Sequence, residues 1–261
     1  MDNKPVLRQS LITSLLNCGE QVRLGKVVAS RPDLIGHKSE ALFYGTKFHR
    51  AVESYFQGRL YGYSVSHDDV LDGLRQSWHI LEDGVPVRWQ GSPESVLASA
   101  EKLVKRYLDW VDFQPQIIPL AIEKTIRIET EYAWLEGTLD MTTKDGILDW
   151  KTASTYESAR DVADHSIQSW VYTLLESGGD IKLASEIPFV YHTAIKQTYQ
   201  IYPFLKYARK EDLEILVNRM IPAAARLIRE DGPYTPNPLF RFCSSNFCSV
   251  WDACRGGKIK L

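Results

Sequence analysis

The sequence predicts an α/β or α+β core preceded by a mainly helical N-terminal region. Three observations predict it. Apolar residues recur at helical spacing in 43–57 and 93–111. From Ile117 the composition turns to β-branched and aromatic runs of strand length. A further helix over 166–177 is then followed by more strand-like runs, the alternation of an α/β core.

Taken in order, 10–17 reads as a short helix with Leu11, Leu15 and Leu16 as its apolar set. The helix over 43–57 carries Phe48, Ala51, Val52, Tyr55 and Phe56 on one stripe, and Gly58 can end it. Pro93 opens the helix over 93–111, whose Val96, Leu97, Leu103, Tyr107 and Trp110 keep helical register. Segments 121–129, 131–142 and 147–152 read as strands. The helix over 166–177 stops at Gly178-Gly179. Strands over 187–193 and 200–204 follow, then a long helix over 211–229. The tail after Asp231, with Pro233, Pro236 and Pro238, reads as loop.

The chain has 261 residues, 44% hydrophobic and 25% charged, so disordered, collagen-like and coiled-coil classes are out. A formal charge of -2 gives no global attraction to nucleic acid; a basic surface would be a local groove. The opening MDNKPVLRQS lacks the apolar stretch of a signal peptide, and no apolar run of about 18 residues occurs. A soluble, cytoplasmic protein without membrane partners is expected. Oligomeric state is not legible.

The stretch from Glu136 to Lys151 carries the chemistry. Asp145-Gly146 between two strand-like runs signals a hairpin. A two-residue turn there sets Lys144 opposite Ile147, Asp140 opposite Lys151 and Thr142 opposite Asp149. Asp140, Asp149 and Lys151 then share one face, with Leu139, Met141, Leu148 and Trp150 on the other. Two close carboxylates favour a hard divalent cation, Mg²⁺ or Mn²⁺. The cation can activate water and stabilise charge on a phosphate, and a neighbouring lysine can orient that water. The competing reading is a solvated face with a cross-strand ion pair, worth under about 1 kcal/mol. Gly45, His49 and Glu53 fall on one stripe of the 43–57 helix, and Gln168 and Tyr172 are one turn apart on 166–177. Each set alone is ordinary.

In order, these residues resemble the RecB-like branch of the PD-(D/E)XK nuclease superfamily. Gly45-Thr-Lys-Phe-His49 is similar to its G-x-x-x-H motif, Gly137-Thr-Leu-Asp140 to G-x-x-D, Asp149-Trp-Lys151 to D-x-K, and Gln168-Ser-Trp-Val-Tyr172 to Q-x-x-x-Y. Glu123 stands where a first-strand glutamate often occurs, and Leu139 replaces the proline of the superfamily's name. The resemblance implies a restriction-endonuclease-like core, a mixed central β-sheet flanked by helices, with a helical N-terminal part (1–115), a nuclease core (116–230) and a Cys-rich C-terminal segment (231–261) in one nuclease domain. It implies Asp140, Asp149, His49 and the main-chain carbonyl of Trp150 as metal ligands. It gives Lys151 the attacking water, and gives Gln168 and Tyr172 the support of the site or contact with the DNA backbone. Glu123 and Glu53 are further candidates.

Cys243, Cys248 and Cys254 form C-x4-C-x5-C, and Cys18 follows the first helix. Thiolates suit iron–sulfur clusters or zinc, and buried apolar cysteines are the competing reading. The layout resembles iron–sulfur nucleases of the same branch, AddB-type and CRISPR-associated exonucleases, and implies a 4Fe-4S cluster with zinc as the alternative. Four residues rather than two separate Cys243 and Cys248, and Gly19 follows Cys18 where proline is common.

Basic residues gather at Lys102, Lys105 and Arg106, at Lys206, Arg209 and Lys210, and at Arg255, Lys258 and Lys260. Tyr44, Tyr55 and Trp170 are candidates for base stacking. The expected function is a metal-dependent DNA exonuclease acting on single strands or ends. Its setting would be recombination, repair, or phage or CRISPR processing, in a bacterial or phage-infected cell, with a helicase or recombination protein as partner. The alternatives are a nuclease-inactive DNA-binding subunit with a structural metal, an endonuclease of the same superfamily, and a sugar- or nucleotide-processing hydrolase.

Overall fold

A six-stranded mixed sheet forms the centre of the computed structural model, which describes residues 4–29, 38–81, 84–232, 234–239, 243, 248 and 250–255. The elements run β1 (Val6–Arg8), α1 (Gln9–Ala29), β2 (Lys38–Ser39), α2 (Glu40–Tyr61), α3 (His67–Ser77), β3 (Val87–Arg88) and α4 (Pro93–Asp112). The core follows as β4 (Pro119–Glu129), β5 (Trp134–Thr143), β6 (Gly146–Ala153), α5 (Tyr156–His165), α6 (Gln168–Glu176) and α7 (Ile181–Glu186). The chain then forms β7 (Phe189–Ile195), β8 (Ile201–Lys206), α8 (Lys210–Ile215), α9 (Ile221–Arg229) and α10 (Trp251–Arg255). β2 and β3 pair apart from the main sheet.

β5 is the organising strand. β4 pairs antiparallel along one edge. The other edge is shared: β1 runs parallel to Trp134, Leu135 and Glu136, and β6 antiparallel to Met141, Thr142 and Thr143. Residues 137–140 lie in the fork between β1 and β6. β7 continues the sheet parallel to β6, and β8 closes it antiparallel.

Two apolar layers sandwich the sheet. Phe43, Phe48, Val52 and Phe56 of α2, with Leu103, Tyr107 and Leu108 of α4, bury against Met141, Leu148 and Trp150. On the opposite side, Leu7 and Leu135 pack against Val171, Leu174 and Leu175 of α6 and Ile221 and Ala225 of α9. Below α5, Leu139, Ile147, Phe189 and Tyr191 form a smaller cluster with Ala163.

Several elements differ from the sequence expectation. The first helix runs to Ala29, broken at Cys18 (φ -158°, ψ 91°). The expected 211–229 helix is interrupted by a π turn at Leu216–Met220, just before Pro222, whose ring cannot sit in a regular helix interior. α3 and α5 were not expected; both start with a capping box, Ser66 with Asp69 and Thr155 with Ser158. The tail holds α10. No helix among the described residues is long and apolar enough to cross a membrane.

Candidate active site

The hairpin forms, with a register two residues from the expected one. Thr143 faces Gly146, Thr142 faces Ile147 and Met141 faces Leu148, so the loop is Lys144-Asp145. Gly146 is the first residue of β6, at φ +133°; a Cβ there would lie 2.2 Å from the Pro188 oxygen. That oxygen accepts the Ile147 N–H at 2.9 Å, so the glycine lets β7 start flush against the turn. A two-residue shift preserves face parity, and Asp149 and Lys151 stay on one face. Asp140 is no longer opposite Lys151; the register extended from Met141–Leu148 points it at Asp149.

One further expectation is corrected. Leu139 does not share the layer of Met141, Leu148 and Trp150; it packs with Ile147, Phe189 and Tyr191 on the opposite side. The two strands of the β4–β5 ribbon both exchange faces here. Ile122 packs toward α2 and α4, whereas Ile126 and Ile128 pack toward α6. Glu123, between the Ile122–Met141 and Lys124–Leu139 pairs and so across from Asp140, takes φ +50°, a left-handed backbone that costs a non-glycine residue of order 1 kcal/mol.

The β5–β6 ladder stops at Met141, and the next contact is a side chain: Asp140 Oδ2 accepts the Trp150 N–H at 2.9 Å. His49 Nδ1 of α2 lies 3.2 Å from the same oxygen. Asp149, fully buried, accepts from Gln168 Nε2 at 2.7 Å through Oδ1. Its Oδ2 has Lys151 Nζ at 2.6 Å but no aligned hydrogen bond. The Trp150 ring is buried, stacked on Phe56 and edge-on to His49, so the polar contact it makes in the site comes from its main chain. Tyr172 and Leu175 of α6 lie directly on Gly137, where a Cβ would meet them at 3.1 and 2.7 Å. The glycine of the G-x-x-D stretch and the tyrosine of the Q-x-x-x-Y stretch are therefore packing partners.

α2 supplies the opposite wall. Its N-cap Ser39 accepts from Leu42 N, and its apolar stripe docks on Trp150. The remaining stripe, Gly45, His49 and Glu53, lines an open cleft of ≈ 790 Å³ together with Thr46, Arg50, Gln57, Glu123, Lys151 and Thr152. Arg50, Gln57 and Thr152 had not been singled out; the first two fall on the α2 stripe one turn either side of Glu53 and could have been read from it.

The carboxylates disturb one another. Burial first, and Asp140 second, push Asp149 up to about 6. Glu123 rises to about 7 through desolvation, then through Asp140 and Glu53. Glu53 also rises, by burial and then the Asp140 charge. Burial acts to raise Asp140 too, but His49, Lys151 and the Trp150 N–H outweigh it and hold it below the usual carboxylate range. The lysine is raised, since Asp149 and Asp140 outweigh its desolvation. Hard oxygen donors, three of them raised by burial first and by neighbouring carboxylates second, and one of those with an unaligned buried oxygen, fit a divalent cation. Among the described residues, no three His, Cys, Asp or Glu side chains already form a closed cage.

The four cysteines share a second cavity. Cys18, at the α1 break, and Cys243, Cys248 and Cys254 line one cavity of ≈ 270 Å³ with Leu24, Pro236 and Trp251. No disulfide joins any of them among the described residues. The Asn237 N–H donates to Cys18 Sγ at 3.5 Å, and burial raises the Cys248 thiol, reinforced by the other three. Four soft donors around one cavity fit an iron–sulfur cluster or zinc in type and number.

The remaining expectations fare differently. Tyr44 and Tyr55 are buried in the α2–α4 layer and Trp170 packs on the α6–α9 layer, so they are core residues first. Lys102 lies over the Tyr199 ring, while Lys105, Lys206, Arg209 and Lys210 pair with Asp109, Asp164, Asp212 and Glu214. Lys258, Lys260 and the Arg255 side chain lie outside the described residues.

The profile of the PD-(D/E)XK nuclease superfamily matches residues 9–255. The chain belongs to the PD-(D/E)XK nuclease superfamily. Its mixed sheet between helical layers is the restriction-endonuclease-like core of these nucleases, whose substrate is DNA and which generally use Mg²⁺ or Mn²⁺. A crystal structure from Eubacterium rectale, described as a "putative exonuclease", superposes with a TM-score of 0.61 at 15% identity, over 99% of this chain and 90% of that one. The structure of SSO0001 gives a TM-score of 0.42 at 14% identity, over 100% and 90% of the two chains, too loose a likeness to bear on the site. No curated protein matches this PD-(D/E)XK chain in sequence.

Proposed function

We propose that this member of the PD-(D/E)XK superfamily is a divalent-metal-dependent DNA exonuclease of the RecB-like branch, acting on single strands or DNA ends. The carrying observation is that His49, Glu53, Glu123 and Lys151 line one open cleft, with the buried carboxylates of Asp140 and Asp149 against His49 and Lys151 behind it. Asp140, Asp149, the Trp150 carbonyl and His49 would hold Mg²⁺ or Mn²⁺, with Glu123 and Glu53 as further donors. When bound, the ion would acidify an attacking water and offset phosphate charge. Lys151, held against Asp149 Oδ2, orients that water. Gln168 fixes Asp149 in one rotamer, and Tyr172 holds α6 against Gly137 so that Gln168 reaches its target. The fold likeness to a protein described as a putative exonuclease agrees with this reading.

The four-cysteine cavity would hold a 4Fe-4S cluster, with zinc as the alternative, tying α1 to the C-terminal segment within one nuclease domain spanning 1–261. A cytoplasmic role in recombination, repair, or phage or CRISPR DNA processing, beside a helicase or recombination partner, follows from the same resemblance.

The test is degradation of linear single-stranded DNA labelled at either end, with Mg²⁺ or Mn²⁺ and a circular control. Loss of linear DNA only, abolished in Lys151→Ala while DNA binding persists, is expected, and the label released first gives the direction. Cutting of the circle makes the enzyme an endonuclease. No cleavage of any substrate overturns the reading in favour of a DNA-binding subunit. Iron and acid-labile sulfide in anaerobically purified protein test the cluster; zinc without sulfide selects the alternative.

A further inference from the structure

We propose that the exposed face of the β1–β5–β4 ribbon is a backbone track for the DNA strand beside the cleft, with Arg8 and Arg127 as its phosphate-binding residues. The inference rests on the nuclease reading and adds to it where the strand lies.

The track follows from strand register. On β5, residues 136 and 138 share the side away from α6, because Leu135 and Leu139 on the alternate positions are buried, and Asp140 follows where the strand exchanges faces. Each has neighbours in register. Glu136 stands between Arg8 of β1 and Arg127 of β4. Thr138 faces Thr125, with the two hydroxyl oxygens 2.9 Å apart. Asp140, against His49 of the cleft wall, lies opposite Glu123 when the register is carried across from Ile122–Met141 to Lys124–Leu139. The rungs are two residues apart, roughly 6.5–7 Å, so the arginines lie roughly 13 Å along the strand from the candidate metal ligand. That repeat is comparable to the separation of successive phosphates on an unstacked strand.

The arginines are held in a particular way. Arg8 donates through Nε and Nη2 to Glu136 Oε1, at 2.9 and 2.5 Å. Arg127 donates through Nε at 2.8 Å, and through Nη2, to Oε2 of the same carboxylate. Glu136 is 7% exposed, whereas the arginine side chains are 67% and 50% exposed. Nη1 of each guanidinium has no hydrogen-bond partner among the described residues. One shielded carboxylate thus fixes two guanidinium planes, offsets one of their two charges and leaves donor edges for an anion. A planar fork with free N–H groups suits phosphate oxygens. The exposed Thr125 hydroxyl adds a neutral donor on the next rung toward the cleft. A ribbon needing only a cross-strand ion pair would be served by one arginine.

The test compares wild type, Arg8→Gln/Arg127→Gln and Glu136→Gln. Binding of 3-nucleotide and 15-nucleotide single strands is measured by anisotropy in Ca²⁺ across a salt series, and cleavage in Mn²⁺. Wild type is expected to hold the 15-mer far more tightly than the 3-mer. In the double arginine variant most of that length advantage disappears, about a 10-fold or greater loss on the 15-mer. The slope of log affinity against log salt flattens by roughly 0.7 for each lost contact. Glu136→Gln keeps both cations but loosens their hold, so it is expected to weaken the 15-mer less than the double arginine variant does and to leave the salt slope at the wild-type value. An unchanged length advantage and salt slope in the arginine variant overturns the track. So does a salt slope that flattens as much in Glu136→Gln as in the arginine variant, which would assign the effect to the ribbon's integrity. If wild type cleaves DNA and the arginine variant binds normally, only the track fails. If wild type cleaves nothing, the nuclease reading fails, and the binding data still decide the track.

Discussion

Glu123→Gln isolates the electrostatic tension of the cleft. The Glu123 carboxyl is pushed up to about 7 by desolvation, then by Asp140 and Glu53. In the unfolded chain a glutamate titrates near 4.3. Between those values the folded protein binds the extra proton, so stability falls as pH rises from about 4.3 to about 7, and the full penalty stands above 7. The whole displacement would be worth up to about 3.7 kcal/mol at 1.36 kcal/mol per pH unit. Glu123 is exposed on the cleft side, so solvent screening reduces this to about 1–2 kcal/mol. Glutamine keeps the side-chain length and the strained backbone while removing the charge. The metal-free variant is therefore expected to melt about 3–6 °C above wild type at pH 8.5, and at the wild-type temperature at pH 4.5. Mn²⁺ is expected to reverse the order, because a cation bound only to the folded state stabilises most where it has most carboxylates. The assay is thermal unfolding in EDTA at the two pH values, repeated with Mn²⁺. A variant that gains nothing at pH 8.5, or gains equally at both, would refute the repulsion argument.

Three further outcomes are expected. Gly137→Ala drives a methyl into Leu175 and Tyr172 and should cost about 1–3 kcal/mol in urea unfolding; an unchanged midpoint would show that α6 moves away freely. Gln168→Leu removes the donor to Asp149 Oδ1 and should cost about 1.5–3 kcal/mol of stability. It should also move the acid limb of the pH–rate profile upward, because Asp149, already raised to about 6, loses a stabiliser of its charged form; a fixed limb would sink the positioning role. Cys18→Ser should strip bound metal and lower the melting temperature, whereas retained metal would place the ligands elsewhere.

How much of this was legible depended on whether the determinant was local. The hairpin was, because Asp145-Gly146 interrupts two alternating runs. Its register slipped by two because Gly146 serves β7, whose Pro188 oxygen leaves no room for a Cβ, and that neighbour is more than forty residues away in sequence. Since the slip was even, Asp149 and Lys151 kept their common face. The face exchange was illegible: an αL glutamate inside a strand of good β formers has no local signature. The π turn before Pro222 could have been expected, since a proline within a helical pattern breaks it. The capping boxes of α3 and α5 were readable too, but their polar sequences carry short apolar stripes, Val70, Leu71 and Leu74 in α3 and Ala159 and Ala163 in α5.

The fork and the face exchange together explain why a stable sheet keeps carboxylates at its centre. A regular β5–β6 ladder past Met141 would seal residues 137–140 with main-chain hydrogen bonds. Instead β1 and β6 divide that edge, and the Trp150 N–H is satisfied by the Asp140 side chain. The carboxylate thus replaces a ladder partner, and its position is fixed by backbone geometry rather than by a free rotamer. Asp149 is fixed from the other side by α6, which Gly137 admits to close contact. Each aspartate is held by a different helical layer, His49 of α2 for Asp140 and Gln168 of α6 for Asp149. Their separation therefore depends on how both layers dock on the sheet. A disturbance in either apolar layer should reach the cleft as a change in that separation before it unfolds the protein, since cleft chemistry depends on position more steeply than stability does.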